Sequence, residues 1–181
     1  MDTLLGRIAA AYDMAVQAHE GQTRRHGRGA PFINHVADVA RRVSESPEAD
    51  EVTLAAAVLH DVVEKTPRTL SEVAAAFGAE VAGVVAEVTD DPSLSKAEQR
   101  RRQVEHAPHL SPRAKRIKLA DKASKLASIA EAPPGTWHRS GARREVEQVK
   151  DVADAVRGAD LVLEAAFDRE LARVEAALGQ G

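Results

Sequence analysis

The sequence predicts an all-α protein of about eight to ten helices, and three observations lead to that prediction. Apolar residues recur at spacings of three and four along most of the chain, which is typical of helices. Capping sequences and breaks at glycine or proline separate the successive segments. No segment shows the alternation of apolar and polar residues that is typical of a strand. Because no repeat or long linker divides the 181 residues, we expect residues 1–181 to form a single domain.

The N-terminal part of the chain predicts three helices. The first carries an apolar stripe that we expect to be buried, formed by Leu5, Ile8, Tyr12, Ala15 and His19. A basic, glycine-containing loop over residues 20–31 separates it from a second helix with a valine-rich face. The third helix is expected to run from about Asp50 to Glu64, and Pro67 follows to stop it.

The helices of the C-terminal part are predicted from their caps. Thr69 and Glu72 form a capping box at the start of a short helix, and a helix with a valine face follows it. Ser95 and Ser111 are the expected N-caps of two further helices. Two more helices, separated by Gly158, complete the predicted fold.

Composition and charge exclude several classes of function. The formal net charge of −3 and the pI of about 6.2 give no general reason to expect a nucleic-acid or anionic-membrane partner. The chain has no cysteine, so any metal site has to use histidine, carboxylate or backbone oxygen ligands. No apolar stretch approaches the ~20 residues that span a bilayer, and the N-terminus lacks a signal-peptide pattern. We therefore expect a cytoplasmic protein with no membrane partner.

The pair His60-Asp61, directly behind an apolar run, is the strongest candidate for metal binding. Two neighbouring residues cannot complete a metal shell, so other helices have to supply further ligands. His35 opens the second helix, and Asp121 lies within an apolar helix, where an unpaired carboxylate would be costly. Two imidazoles and two carboxylates suit Mn²⁺, Fe²⁺, Co²⁺ or Zn²⁺. We therefore predict that these four side chains bind a metal in a central cleft; the alternative is a set of hydrogen-bonded core residues.

Two ionisable residues follow that pair at helical spacing. Glu64 is four residues after His60, so we expect it on the same helix face, where it would orient or deprotonate a water molecule. Lys65 is four residues after Asp61 and would place a positive charge beside the site. A solvated helix end is the alternative for Glu64, and a plain surface residue is the alternative for Lys65.

Three arginines in the loop before the second helix are candidate substrate ligands: Arg24, Arg25 and Arg28. Guanidinium groups can bind a phosphate or pyrophosphate through paired hydrogen bonds. An ordinary exposed basic loop is the alternative.

Four segments, in order along the chain, resemble a known family. They are AHEGQTRRHGRGAPFINHVADVA, AAVLHDVVEKT, FGAEVAGVVAEVTDD and QVEHAPHLSPRAKRIKLADK. Their H…HD…D pattern is similar to that of the HD superfamily of metal-dependent phosphohydrolases. The segments as a whole resemble the hydrolase domain of RelA/SpoT-type proteins, in particular the small alarmone hydrolases. The resemblance extends from the first helix to about Gly158.

This resemblance implies an HD-type helical domain, one Mn²⁺ ion and removal of pyrophosphate from the 3′ position of guanosine tetra- or pentaphosphate. Some family members act on adenosine alarmones, or remove the 2′-phosphate of NADPH. The resemblance implies substrate contacts by Arg24 and Arg25, by Trp137, and by Arg143 or Arg144. No synthetase or regulatory domain is expected, and the oligomeric state is left open.

The chain departs from the family at two positions. The family usually has Glu-Asp where this chain has Glu64-Lys65, and asparagine where it has Lys125. We expect both lysines to lie near the site and to favour substrates with additional phosphate. The change at Lys65 also keeps open a different class of protein, a non-catalytic nucleotide-binding module.

Overall fold

The computed structural model describes residues 3–24, 29–132 and 139–179, and these residues confirm the all-α prediction. They form ten α-helices, one 3₁₀ turn over Ala107–His109 and one isolated β-bridge between Thr23 and Pro31. The helices are α1 (Leu4–Ala18), α2 (Ile33–Ser44), α3 (Glu51–Leu59), α4 (Val62–Lys65), α5 (Leu70–Phe77), α6 (Ala79–Val88), α7 (Lys96–His106), α8 (Pro112–Glu131), α9 (Arg139–Asp154) and α10 (Leu161–Gly179). That residues 1–181 form one domain stays a prediction.

The third predicted helix is interrupted at His60 and Asp61, so the prediction of one continuous helix is wrong. α3 ends at Leu59, and α4 begins only at Val62. The Ala57 carbonyl oxygen, which in a continuous helix accepts from the backbone N–H four residues on, accepts a hydrogen bond of 2.8 Å from the His60 imidazole. Asp61 has φ −104° and ψ −6°, away from regular helix geometry. The pair that is predicted to bind a metal therefore lies at a joint between two helices.

α8 is the central helix of the fold. It packs against α2, α3, α6, α9 and α10. Its large apolar side chains are fully buried: Ile117, Leu119, Leu126 and Ile129. Each such side chain contributes about 1.5–3 kcal/mol to folding through its burial. Because neighbours cover α8 on several sides, polar side chains on this helix are buried as well, including those of Lys118, Lys122 and Ser124.

The predicted caps begin the helices as expected. Thr69 and Glu72 form the reciprocal capping box of α5. Ser95 accepts a hydrogen bond from a backbone N–H in the first turn of α7, and Ser111 does the same for α8. Gly158 has φ +85° in the connection between α9 and α10, a conformation that favours glycine.

The apolar stripe of α1 is only partly buried. Ala15 and His19 are buried, whereas Ile8 and Tyr12 are half-buried. Leu5 is 80% exposed, so the prediction that it is buried is wrong. Leu5 lies in the first turn of α1, beyond the neighbouring elements that cover the rest of the apolar stripe. No helix in the described part of the chain is long and apolar enough to cross a membrane. A cytoplasmic location stays a prediction.

Candidate active site

Three parts of the fold bring the four predicted metal ligands together. His35 lies in the first turn of α2, His60 and Asp61 at the α3–α4 joint, and Asp121 in the middle of α8. His35 Nε2 lies 3.3 Å from Asp121 Oδ1 and 3.6 Å from Asp61 Oδ2. His60 Nε2 lies 3.2 Å from Asp61 Oδ2. The side chains are 5–18% exposed, and ligand atoms of the two histidines and Asp121 lie within 4.8 Å of one another.

The Nδ1 atoms of both histidines are hydrogen-bonded to other groups of the protein. His60 Nδ1 donates to the Ala57 carbonyl oxygen, which can only accept, so in the neutral ring the other nitrogen carries a lone pair. That nitrogen, His60 Nε2, is buried and has no hydrogen-bond partner among the described residues, although it lies near Asp61. His35 Nδ1 lies 3.0 Å from Ser124 Oγ. Metal-binding histidines are commonly oriented in this way by their second nitrogen.

The chemistry of this donor set fits a divalent metal ion. Burial alone would raise the pKa values of Asp61 and Asp121, but neighbouring positive charges and hydrogen bonds from His35 hold both well below the usual range. Burial alone would lower the pKa of His35, but its hydrogen bonds to the two carboxylates raise it. A bound cation would offset the negative charge of the two carboxylates and also satisfy His60 Nε2.

Glu64 and Lys65 belong to the short helix α4 and line the same cleft as the ligands. Lys65 Nζ lies 2.9 Å from Asp61 Oδ1 and 3.2 Å from Glu64 Oε1. Burial would lower the pKa of Lys65, but the two carboxylates outweigh it and raise that pKa. The other Glu64 oxygen, Oε2, accepts a hydrogen bond of 3.2 Å from the backbone N–H of Asp90. Catalytic roles for Glu64 and Lys65 stay predictions.

The cleft above the ligands has a volume of about 900 Å³, which is large enough for a nucleotide. Cationic side chains supply much of its lining: Arg24, Lys65, Lys96, Arg100, Arg101, Lys118, Lys122, Lys125 and Arg144. Fewer carboxylates line it: Asp61, Glu64, Asp90, Asp121, Glu145 and Asp151. The cleft therefore attracts anions, although the protein as a whole is slightly acidic.

Two of the predicted substrate ligands in this cleft already have partners in the protein. Arg24 Nη2 donates to the Ser124 carbonyl oxygen at 3.0 Å, which ties the loop between α1 and α2 to α8. Lys125 Nζ lies 3.3 Å from Glu145 Oε1, which ties α8 to α9. Burial lowers the pKa of Lys125, although the nearby carboxylates oppose this effect.

The structure separates the two arginines that follow the predicted aromatic ligand. Arg144 lines the cleft, whereas Arg143 is exposed and is not one of the described residues that line it. Arg25, Arg28 and Trp137 lie outside the described residues. Contact with substrate stays a prediction for all of these side chains.

Sequence reasoning missed two buried lysines and a serine around the ligands. Lys122 Nζ lies 2.9 Å from Asp121 Oδ2, and Lys118 Nζ donates to the Val88 carbonyl oxygen at 2.8 Å. Burial lowers the pKa of Lys118. Burial also opposes the charged form of Lys122, but the hydrogen bond to Asp121 and the charges of nearby carboxylates, Asp121 above all, together raise the pKa of Lys122. Ser124 orients His35. The available signal was the presence of lysines inside the apolar segment RIKLADK, on both sides of Asp121.

Comparisons with known proteins match the chain to a family model, to relatives and to a solved structure. The HD domain family model matches residues 11–150. The guanosine-3′,5′-bis(diphosphate) 3′-pyrophosphohydrolase MESH1 of Mus musculus is 41% identical over 168 residues, covering 92% of this chain and 94% of the mouse protein. The bifunctional (p)ppGpp synthase/hydrolase SpoT of Escherichia coli K12 is 35% identical over 139 residues, covering 74% of this chain and 19% of SpoT. A solved structure of a metazoan orthologue of SpoT that hydrolyses ppGpp matches with a TM-score of 0.86 and 38% identity, covering 91% of this chain and 93% of that one.

Proposed function

The chain belongs to the HD domain family and, within it, to the MESH1-like guanosine-3′,5′-bis(diphosphate) 3′-pyrophosphohydrolases, and we propose that it removes the 3′-pyrophosphate of (p)ppGpp in a Mn²⁺-dependent reaction. The observation that carries the proposal is the placement of His35, His60, Asp61 and Asp121 together at the cationic cleft. Two imidazoles and two carboxylates favour binding of a divalent cation. The volume and the cationic lining of the cleft favour binding of a large anion.

The four ligands would hold the ion, which when bound supplies Lewis-acid activation of the phosphoryl group and of a water molecule. Glu64 is the proposed general base. Its Oε2 is oriented by the N–H of Asp90 and its Oε1 by the Lys65 ammonium, so its carboxylate is fixed beside the ligands. A fixed carboxylate can take the proton of an attacking water without first having to reorient. Lys65 places a positive charge where negative charge increases during phosphoryl transfer.

Binding of the substrate phosphates is assigned to the cationic lining of the cleft. Arg24 and Arg144 present guanidinium groups to the cleft, and Lys125 presents an ammonium group that Glu145 partly neutralises. Partly buried cations attract phosphate more strongly than exposed ones do, because water screens them less. We extend the proposed substrate contacts to Arg25, Arg143 and Trp137 from the family resemblance alone.

A substrate panel tests the proposal. The Mn²⁺-loaded protein is incubated separately with guanosine alarmones, adenosine alarmones and NADPH, and the products are separated. We expect release of pyrophosphate from ppGpp, and no release by Asp121→Ala prepared in the same way. Preferred release of orthophosphate from NADPH would instead assign a 2′-phosphatase. Binding of ppGpp without turnover of any substrate would assign a nucleotide-binding module.

A further inference from the structure

The carboxylate of Asp61 is divided between a lysine and the metal-binding imidazoles. Its Oδ1 lies 2.9 Å from Lys65 Nζ, on the side of α4. Its Oδ2 lies 3.2 Å from His60 Nε2 and 3.6 Å from His35 Nε2. One oxygen of this ligand therefore faces the site, and the other is held by an ammonium group.

The carboxylate of Asp121 is divided in the same way, by a lysine from a different helix. Its Oδ2 lies 2.9 Å from Lys122 Nζ, and its Oδ1 lies 3.3 Å from His35 Nε2. The two lysines come from α4 and α8, so no shared local geometry produces the match. Each aspartate of the site has one oxygen on a lysine and one on the histidine side.

Lys65 is held in place on more than one side. Its backbone carbonyl oxygen accepts a hydrogen bond of 3.0 Å from Gln22 Nε2, and its ammonium lies 5.8 Å from the centre of the Phe32 ring. The Lys65 side chain is 37% exposed, and an exposed ion pair taken alone is weak. The ring and the two carboxylates together favour a position of the ammonium on the outer side of Asp61.

We propose that Lys65 and Lys122 are positioning residues that hold Asp61 and Asp121 as one-oxygen ligands of the divalent ion, an inference that rests on the metal site of the proposed function. A free carboxylate can bind a metal through both oxygens. An ammonium on one oxygen prevents this. If each aspartate supplied one oxygen and each histidine one nitrogen, the site would leave room for water and for a phosphate oxygen beside the ion.

The same pair sets the charge of the site. Two ammonium groups offset the two aspartates, so a bound dication keeps its net attraction for phosphate. The ammonium groups also repel the metal, which weakens its binding. This chain should therefore bind its metal less tightly than the same site without these two charges would.

The test is a titration of Mn²⁺ into the metal-free protein and Lys65→Met, with free Mn²⁺ followed by electron paramagnetic resonance. Methionine keeps the approximate length of the side chain and removes its charge. Loss of one cation beside a ligand carboxylate should tighten Mn²⁺ binding by about tenfold. Water-proton relaxation should decrease, because Asp61 becomes free to bind through both oxygens. Unchanged or weaker Mn²⁺ binding in Lys65→Met would overturn the proposal.

Lys125→Met is the matched control, since Lys125 lines the same cleft but pairs with Glu145 instead of a ligand. Its Mn²⁺ affinity should remain within about twofold of the parent, given the greater separation of charge. Lys122→Met should bind Mn²⁺ more tightly and show slower water-proton relaxation, as Lys65→Met does. Lys122→Arg, which keeps the charge, should retain the water-proton relaxation rate of the parent. If the buried Lys122→Met does not fold, as judged by circular dichroism, the Lys65 pair of measurements decides. The titration needs no substrate, so a failure of (p)ppGpp turnover leaves its result interpretable.

Discussion

Helices α7 and α8 both line the cleft but are attached to the protein in different ways. α8 is buried against five helices, and thirteen of its twenty residues are buried. Within the described residues of α7, only Gln99 is buried. α7 is held through polar contacts, among them Gln99 Nε2 to the Asp91 carbonyl oxygen at 2.7 Å and Gln103 Nε2 to Asp90. The comparison indicates that α8 fixes the reacting groups, whereas α7 presents charge to the substrate from a weakly held element.

The difference follows from what each helix has to do. Metal ligands have to keep their geometry within a fraction of an ångström, and Asp121, a proposed ligand, lies in a packed helix. Lys96, Arg100 and Arg101 of α7 interact over longer distances and tolerate motion. Asp90 connects the two regions, because its side chain accepts from α7 and its N–H orients Glu64. Substitutions in the two helices should therefore separate chemistry and stability from substrate binding.

The largest effect is expected at the proposed metal ligand of α8. Asp121→Ala removes one donor, leaves Lys122 without its carboxylate and leaves His35 with Asp61 alone, so it should abolish metal binding and reduce turnover by more than about 10³-fold. Metal analysis of the purified variant and turnover in added Mn²⁺ measure both quantities. Full metal content together with full activity would show that the ligand assignment is wrong.

Packing should also distinguish the two helices. Leu126→Ala on α8 removes a fully buried side chain and should lower the free energy of unfolding by about 2–5 kcal/mol. Val104→Ala on α7 truncates a half-buried side chain and should cost less than about 1 kcal/mol. Urea unfolding followed by circular dichroism gives both values. Similar losses in the two variants would refute the contrast in attachment.

Substrate binding should depend on α7 without a change in stability. Arg100→Gln removes a cleft-lining charge, so we expect KM for ppGpp to rise severalfold while kcat and the melting temperature stay close to the parent's. Arg102→Gln is the control, because Arg102 lies on the same helix, pairs with Glu98 and is not one of the described residues that line the cleft. Equal KM changes in both variants would mean that α7 acts through its overall charge and not through the side chains that line the cleft.

The smallest effect concerns the attachment of α8 to the start of α3. Slight burial opposes the shift, but hydrogen bonds from Arg113 and Thr53 lower the pKa of Asp50 from 3.8 to about 2. Because the folded pKa is depressed, this stabilisation is fully present above the unfolded value and is lost as pH falls through about 2. Asp50→Asn should therefore be slightly less stable than the parent at pH 7, with a smaller difference near pH 2. A difference that does not depend on pH would exclude the ion pair as its source.

Much of the fold could be predicted from the sequence, and so could the four side chains that come together as proposed metal ligands, since both depend on local pattern. Valines at helical spacing and the Thr69–Glu72 capping box are signals within one segment. The interruption at His60 could not be predicted, because it depends on which group bonds the Ala57 carbonyl oxygen. The exposure of Leu5 depends on where neighbouring helices end.

The role of Lys122 could not be predicted for a related reason. A lysine beside a buried aspartate has the same sequence pattern whether its ammonium reaches solvent or turns inward to the carboxylate. The four-residue spacing correctly predicts that Lys65 lies near Asp61. It does so because helical hydrogen bonding is kept at the start of α4, where Lys65 N donates to the Asp61 carbonyl oxygen at 2.9 Å. A spacing of one helical turn therefore predicts which side chains are neighbours. It does not predict whether a neighbouring side chain turns inward or reaches solvent.

The central claim is that the buried ligands and Glu64 together remove pyrophosphate from ppGpp. Single-turnover release of pyrophosphate by Mn²⁺-loaded parent and Glu64→Gln, at matched metal content, tests it most directly. We expect release by the parent and a rate about 10²–10⁴-fold lower in Glu64→Gln, because glutamine keeps the shape and cannot accept the proton. Equal rates in the two proteins, or no pyrophosphate from the metal-loaded parent, would contradict it.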